Sequence, residues 1–139
     1  MKTLSLLLAT WAFAGAAAAS ALCERLPMDP ESPPGITGSY ELIGKAAGTG
    51  AGYTGTLRIG YGKQGYTVTR TVGGSDVHGT AWMERCGMDE IHFFRARYDT
   101  RPVTEVSCSL GMDGDNYYRA TCKTWQADRR GLEAWFQHP

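Results

Sequence analysis

The sequence has no block of like charge, no CxxC or HxxxH pair at zinc-ligand spacing and no apolar run long enough to span a bilayer. Fourteen Lys and Arg stand against fourteen Asp and Glu, interspersed along the chain, so composition gives no reason to expect nucleic acid or an anionic membrane as partner. The strongly apolar stretch, Leu4 to Phe13, falls short of the roughly 20 residues a transmembrane helix needs and grades into small residues. Asparagine is nearly absent, with Asn116 alone. Together with abundant Arg, Ala and Gly, this composition points to a GC-rich bacterial source.

What the amino terminus does contain is the three-part layout of a signal peptide. Met1-Lys2 gives a positive start, Leu4 to Phe13 the apolar centre, and Ala14 to Ala21 a run of small residues. Ala19-Ser20-Ala21 fits small-x-small cleavage, which predicts a mature chain from Leu22; cleavage after Ala19 is an alternative. Ser20-Ala21-Leu22-Cys23 approaches a lipoprotein box, but Leu22 stands where a small residue is required. The expectation is a signal peptide over 1–21, a proline-rich extended arm over 22–35 and a single domain over 36–139. Such a protein is exported to the periplasm or medium and has no stable membrane insertion after signal cleavage.

All four cysteines, Cys23, Cys86, Cys108 and Cys122, follow the cleavage site, so two disulfides are expected in an oxidising compartment. Their spacings suit no zinc site. Residues 22–35 hold four of the six prolines, which excludes helix and central strand. From Ile36 onward, Gly-bounded segments rich in Tyr, Thr, Val and Ile alternate with period two. Strands are expected over 38–46, 53–61, 65–72, 77–85, 90–98, 103–110, 117–124 and 132–137. The last segment also carries a helical stripe of Trp125, Leu132, Trp135 and Phe136; it is read here as strand. The fold class is all-β, a small antiparallel meander closing as an eight-stranded barrel or packing as a sandwich.

Two hairpins can be placed in register. Across Gly62 to Gly65, Tyr61, Ile59 and Leu57 should face Tyr66, Val68 and Arg70, with Thr67, Thr69 and Thr71 outward. In the second, Asp113-Gly114-Asp115-Asn116 is turn chemistry, and Asn116 in the left-handed position makes Asp115 the centre. Cys108 then opposes Cys122, which leaves Cys23 for Cys86. A one-residue bulge would break this register.

Motifs for chemistry are sparse. Asp113, Asp115 and Asn116 begin like a calcium loop, but Thr124 stands where the late acid belongs. His78, His92 and His138 form no local pair, and no Ser lies in a Gly-x-Ser-x-Gly turn. Gly48-Thr49-Gly50-Ala51-Gly52 lacks the Lys-Ser/Thr ending of a phosphate loop and leads into a strand. No catalytic residue, metal or cofactor is assigned.

The position that most invites a function is Arg70, which alternation turns inward with Tyr66 and Val68. An inward Arg is either paired, with Glu41, Glu84 or Glu105 as candidates, or lines a polar cavity. Arg95, Trp82, Tyr61 and Tyr66 are the further candidate ligand-binding residues. The size, meander and export signal resemble the small exported β-barrels grouped with lipocalins and avidins. The resemblance is architectural, covers residues 36–137, and includes Gly38-Ser39-Tyr40 as an echo of the lipocalin Gly-x-Trp. It implies a barrel whose mouth holds a small-molecule ligand. The competing expectation is an envelope protein as partner, with the chain acting as inhibitor or accessory subunit; an enzyme ranks last.

Overall fold

The computed structural model describes residues 22–28 and 35–139; the predicted signal peptide over 1–21 and much of the proline-rich arm lie outside the described residues. The described chain is all strand and turn: β1 (Cys23–Arg25), β2 (Gly38–Lys45), β3 (Gly52–Gly62), β4 (Gly65–Val72), β5 (Ser75–Cys86), β6 (Ile91–Tyr98), β7 (Thr104–Met112), β8 (Tyr118–Gln126) and β9 (Arg129–His138). From β2 to β9 each strand pairs antiparallel with the next, and β9 returns to pair with β2, Leu42 opposite Trp135. That closing pair decides between barrel and sandwich. An eight-stranded closed barrel results, and closure removes the free edges on which strands aggregate.

Both hairpin registers hold as expected. Tyr61 faces Tyr66, Ile59 faces Val68 and Leu57 faces Arg70. Cys108 faces Cys122, and Asn116 has a φ of 64° in a turn where its N–H donates to the Asp113 carbonyl. The disulfides are Cys108–Cys122, buried in the barrel, and Cys23–Cys86. Two such bonds fit an oxidising, extracellular-type environment.

Two differences from the sequence expectation have physical causes. The arm contributes a ninth strand, β1, because Cys23 to Arg25 precede the first proline of the arm and retain N–H groups free to ladder. They pair with the end of β5, beyond the reach of β4, with Cys23 opposite Cys86. The carboxy-terminal segment is longer than the 132–137 expected. Ala127 and Asp128 make the tight turn, with Ala127 at a φ of 55°, so that the strand starts at Arg129.

Alternation sends one face of every strand inward. Tyr40, Leu42, Leu57, Ile59, Val68, Phe94, Tyr98, Val106 and Trp135 are all essentially buried. A chain of edge-to-face ring contacts runs along the interior, from Tyr61 to Tyr66 (5.3 Å), Phe94 (5.5 Å), Trp135 (6.1 Å) and Tyr40 (6.4 Å). The middle of the barrel is therefore packed.

Candidate functional site

The two ends of the barrel are built differently. One end, here called the mouth, is bounded by the β3–β4, β5–β6 and β7–β8 turns. The described part of the arm, Leu22 to Met28, lies along its rim: Leu26 N–H donates to the Met83 carbonyl, the Leu22 carbonyl accepts from Gly87 N–H, and Cys23–Cys86 ties this stretch down. The chain re-enters the barrel at residues 35–37. There the Tyr40 hydroxyl donates to the Ile36 carbonyl, and Gln137 Nε2 donates to the carbonyls of Gly35 (2.9 Å) and Thr37 (3.0 Å).

Between these fixed points lies a cavity of about 800 Å³. Its walls include Met28, Met83 and Met112, Tyr61, Tyr66 and Tyr118, Ile36 and Leu110, with Glu90 and His92 among the lining residues. No Lys or Arg is among its described lining residues. Burial, followed by the neighbouring phenols of Tyr61 and Tyr118, pushes the Tyr66 hydroxyl up to about 12, so it stays a neutral donor over the physiological range. Four of the seven large apolar side chains exposed among the described residues, Leu22, Met88, Ile91 and Met112, belong to this end. A scan against protein-family models finds no match, and a search of the curated proteins finds none either.

Toward the far end the interior is polar. Arg70 points inward, and its partner is Glu133 rather than Glu41, Glu84 or Glu105, with Nε 2.8 Å from Oε1. Those three acids occupy outward positions of their strands. Glu133 was hidden in the sequence because its strand sets Leu132, Ala134 and Phe136 on one face against Glu133 and Trp135 on the other, and the face that looks more apolar is the outward one. Its side chain is 2 % exposed, and it accepts three hydrogen bonds: from Arg70, from the Tyr53 hydroxyl (2.7 Å) and from Trp135 Nε1 (2.8 Å). Gly44 makes room for this network, because the Tyr53 ring lies where its Cβ would be, with ring atoms 2.3–2.5 Å from that point. The guanidinium also stacks over Tyr53 at 4.9 Å. Burial alone would lower the Arg70 pKa, but Glu133 and Tyr53 outweigh it and the net shift is upward. Burial and then Glu133 push Tyr53 up to about 12. Tyr98, almost wholly buried beside this cluster and shifted upward by burial, has a hydroxyl with no hydrogen-bond partner among the described residues.

The five candidate ligand-binding residues thus separate into three places. Tyr61 and Tyr66 meet at the mouth. Arg70 belongs to the far-end network. Trp82 and Arg95 are outside the barrel: Glu84 accepts from Trp82 Nε1 (2.7 Å) and from Arg95 Nε (2.9 Å), and Arg25 covers the indole at 5.1 Å. Neither lines the interior, because Ala81, Met83, Phe94 and Ala96 take the inward positions of β5 and β6. The mouth residues that sequence reasoning missed, Met83, His92 and Met112, have the same parity as Ala81, Phe94 and Leu110. Extending the alternation to the strand ends would have found them.

Proposed function

We propose that this is an exported, non-catalytic binding protein that takes a small, uncharged, largely apolar ligand in the barrel mouth. The observation that carries the reading is the cavity of about 800 Å³, walled by thioethers, phenols and aliphatic side chains. That size and lining suit a ligand site: an apolar concavity with a few polar groups to fix orientation. With no Lys or Arg among the described lining residues, a carboxylate or phosphate entering the cavity would lose its hydration without a permanently charged partner, so neutral ligands are preferred. Three methionines give the wall adaptable, polarisable surface that accepts rings of varied shape. The two disulfides and the amino-terminal pattern support an exported location.

A neutral fluorophore, N-phenyl-1-naphthylamine, tests this in the oxidised protein. It should brighten and shift blue with saturable, micromolar binding. Met112→Lys, which puts a cation at the half-exposed rim, should weaken it at least tenfold while leaving the circular dichroism spectrum unchanged. No saturable binding, or binding indifferent to Met112→Lys, overturns the mouth as the site. Co-purification of a stoichiometric protein partner from a periplasmic extract, with no small molecule retained, would favour an interaction module instead.

A further inference from the structure

A second surface stands apart from the mouth, on the outer wall of β8, β9 and β2. The register places Lys123, Leu132 and Lys45 side by side in one cross-strand row. The next row, toward the mouth, is Thr121, Ala134 and Ile43, and on the other side Arg130 lies opposite Trp125. Leu132 is 51 % exposed and Ile43 55 %. Strand spacing puts the two lysine Cα positions about 10 Å apart across Leu132, and the rows about 7 Å apart. Among the described residues, Arg70, Arg85, Arg95 and Arg119 are paired with acids, while Lys45, Lys123 and Arg130 are not, nor are Arg25, Arg58, Lys63, Arg97, Arg101 and Arg129; it is their clustering in adjoining rows that sets the first three apart. The nearest exposed acids are Asp128 in the β8–β9 turn, two residues before Arg130, Glu105, opposite Trp125, and Glu41, two rows away beside Phe136. A chain of balanced composition thus gathers three uncompensated cations around exposed aliphatic side chains.

We infer that this wall is a docking surface for an anionic lipid bilayer, with the barrel lying on its side and Leu132 and Ile43 in the headgroup layer. Charge complementarity points to an anionic partner, and the half-exposed Leu and Ile give it an apolar contact. A concavity of about 490 Å³ lined by Lys45, Lys123, Trp125, Arg130 and Leu132 opens on this wall. A protein strand finds no purchase by main-chain pairing, because β2, β8 and β9 are each laddered on both sides. Lys and Arg close to an anionic leaflet, with aliphatic stems lying along Leu132, are the chemistry of peripheral membrane attachment.

Co-sedimentation of the oxidised protein with lipid vesicles tests the inference. Vesicles containing phosphatidylglycerol should retain it at low salt, and phosphatidylcholine vesicles should not. Each cation removed should lower partitioning roughly fivefold, so Lys45→Glu/Lys123→Glu should abolish retention, and high salt should do the same to the parent protein. Both substitutions are at exposed positions, and an unchanged circular dichroism spectrum confirms folding. Absence of retention on anionic vesicles, equal retention on neutral ones, or retention that survives the double substitution overturns it. So does retention lost instead with Met88→Gln/Met112→Gln, which would place the contact at the mouth.

Discussion

The mouth and the far end are made by the same alternation of the same strands, yet one leaves space and the other fills it with charge. At the mouth the inward positions carry Met83, Met112, Tyr61 and Tyr118, which pack around a cavity instead of filling it. At the far end Arg70, Glu133 and Tyr53 saturate one another, and inward glycines such as Gly44 let the rings lie against the backbone. The difference teaches where stability resides and where the proposed ligand would find room. A buried network in which most members are satisfied fixes one arrangement and is intolerant of change, whereas a methionine-lined cavity tolerates substitution and can accept a guest.

The sharpest way to break the comparison is at Glu133. Glu133→Ala strands a buried guanidinium, a phenol and an indole N–H at once, so it should cost about 3–5 kcal/mol, the range for breaking a buried pair by removing one partner. Met83→Ala at the mouth already borders empty space and should fall at the low end of the large-to-small range, about 2 kcal/mol. Urea unfolding of both variants checks the order. Equal losses would mean that the two ends do not divide stability and binding in this way.

The disulfides divide the same way. Cys108–Cys122 lies in the core with 14 residues of separation, and its removal by paired Ala substitution should cost about 3 kcal/mol. Cys23–Cys86 holds the arm along the rim of the mouth from outside the closed ladder. Removing it should loosen fluorophore binding, with less loss of barrel stability than its 63-residue separation alone suggests, since the eight-stranded ladder closes without β1. Thermal unfolding read beside fluorophore titration separates the two effects.

Much of this molecule was legible as pattern. Period-two alternation and Gly-rich turns gave the eight barrel strands, and turn chemistry at Asp113 to Asn116 set the register that pairs Cys108 with Cys122. What was not legible depends on closure. That β9 lies beside β2, and so brings Glu133 across Gly44 to Tyr53 and near Arg70, is a contact of high sequence separation that no local signal encodes. Two of the site candidates lie away from the interior for a related reason: Trp82 and Arg95 are chemically conspicuous, but parity places them outside, while the plainer Met83 and Met112 continue the inward face to the strand ends.

The smallest effect discriminates the two ends most finely, because each carries a tyrosine pushed up to about 12 for a different cause. Tyr66 owes its shift to burial and then to other phenols, whereas at Tyr53 burial is followed by Glu133. A phenol whose folded pKa lies above its unfolded value near 10 favours the folded state while protonated. Its contribution is complete below pH 10 and is lost as pH rises toward 12, so both ends should lose stability in that window. Glu133→Gln removes the negative charge that raises Tyr53 and leaves Arg70, which lowers it. The Tyr53 titration should therefore move down while Tyr66 stays where it is, as followed by the phenolic carbon shift in NMR. If Tyr66 moved with Tyr53, the ends would be electrostatically coupled through the aromatic chain of Tyr66, Phe94 and Trp135; if neither moved, the Glu133 hydrogen bond would not be what holds the Tyr53 proton.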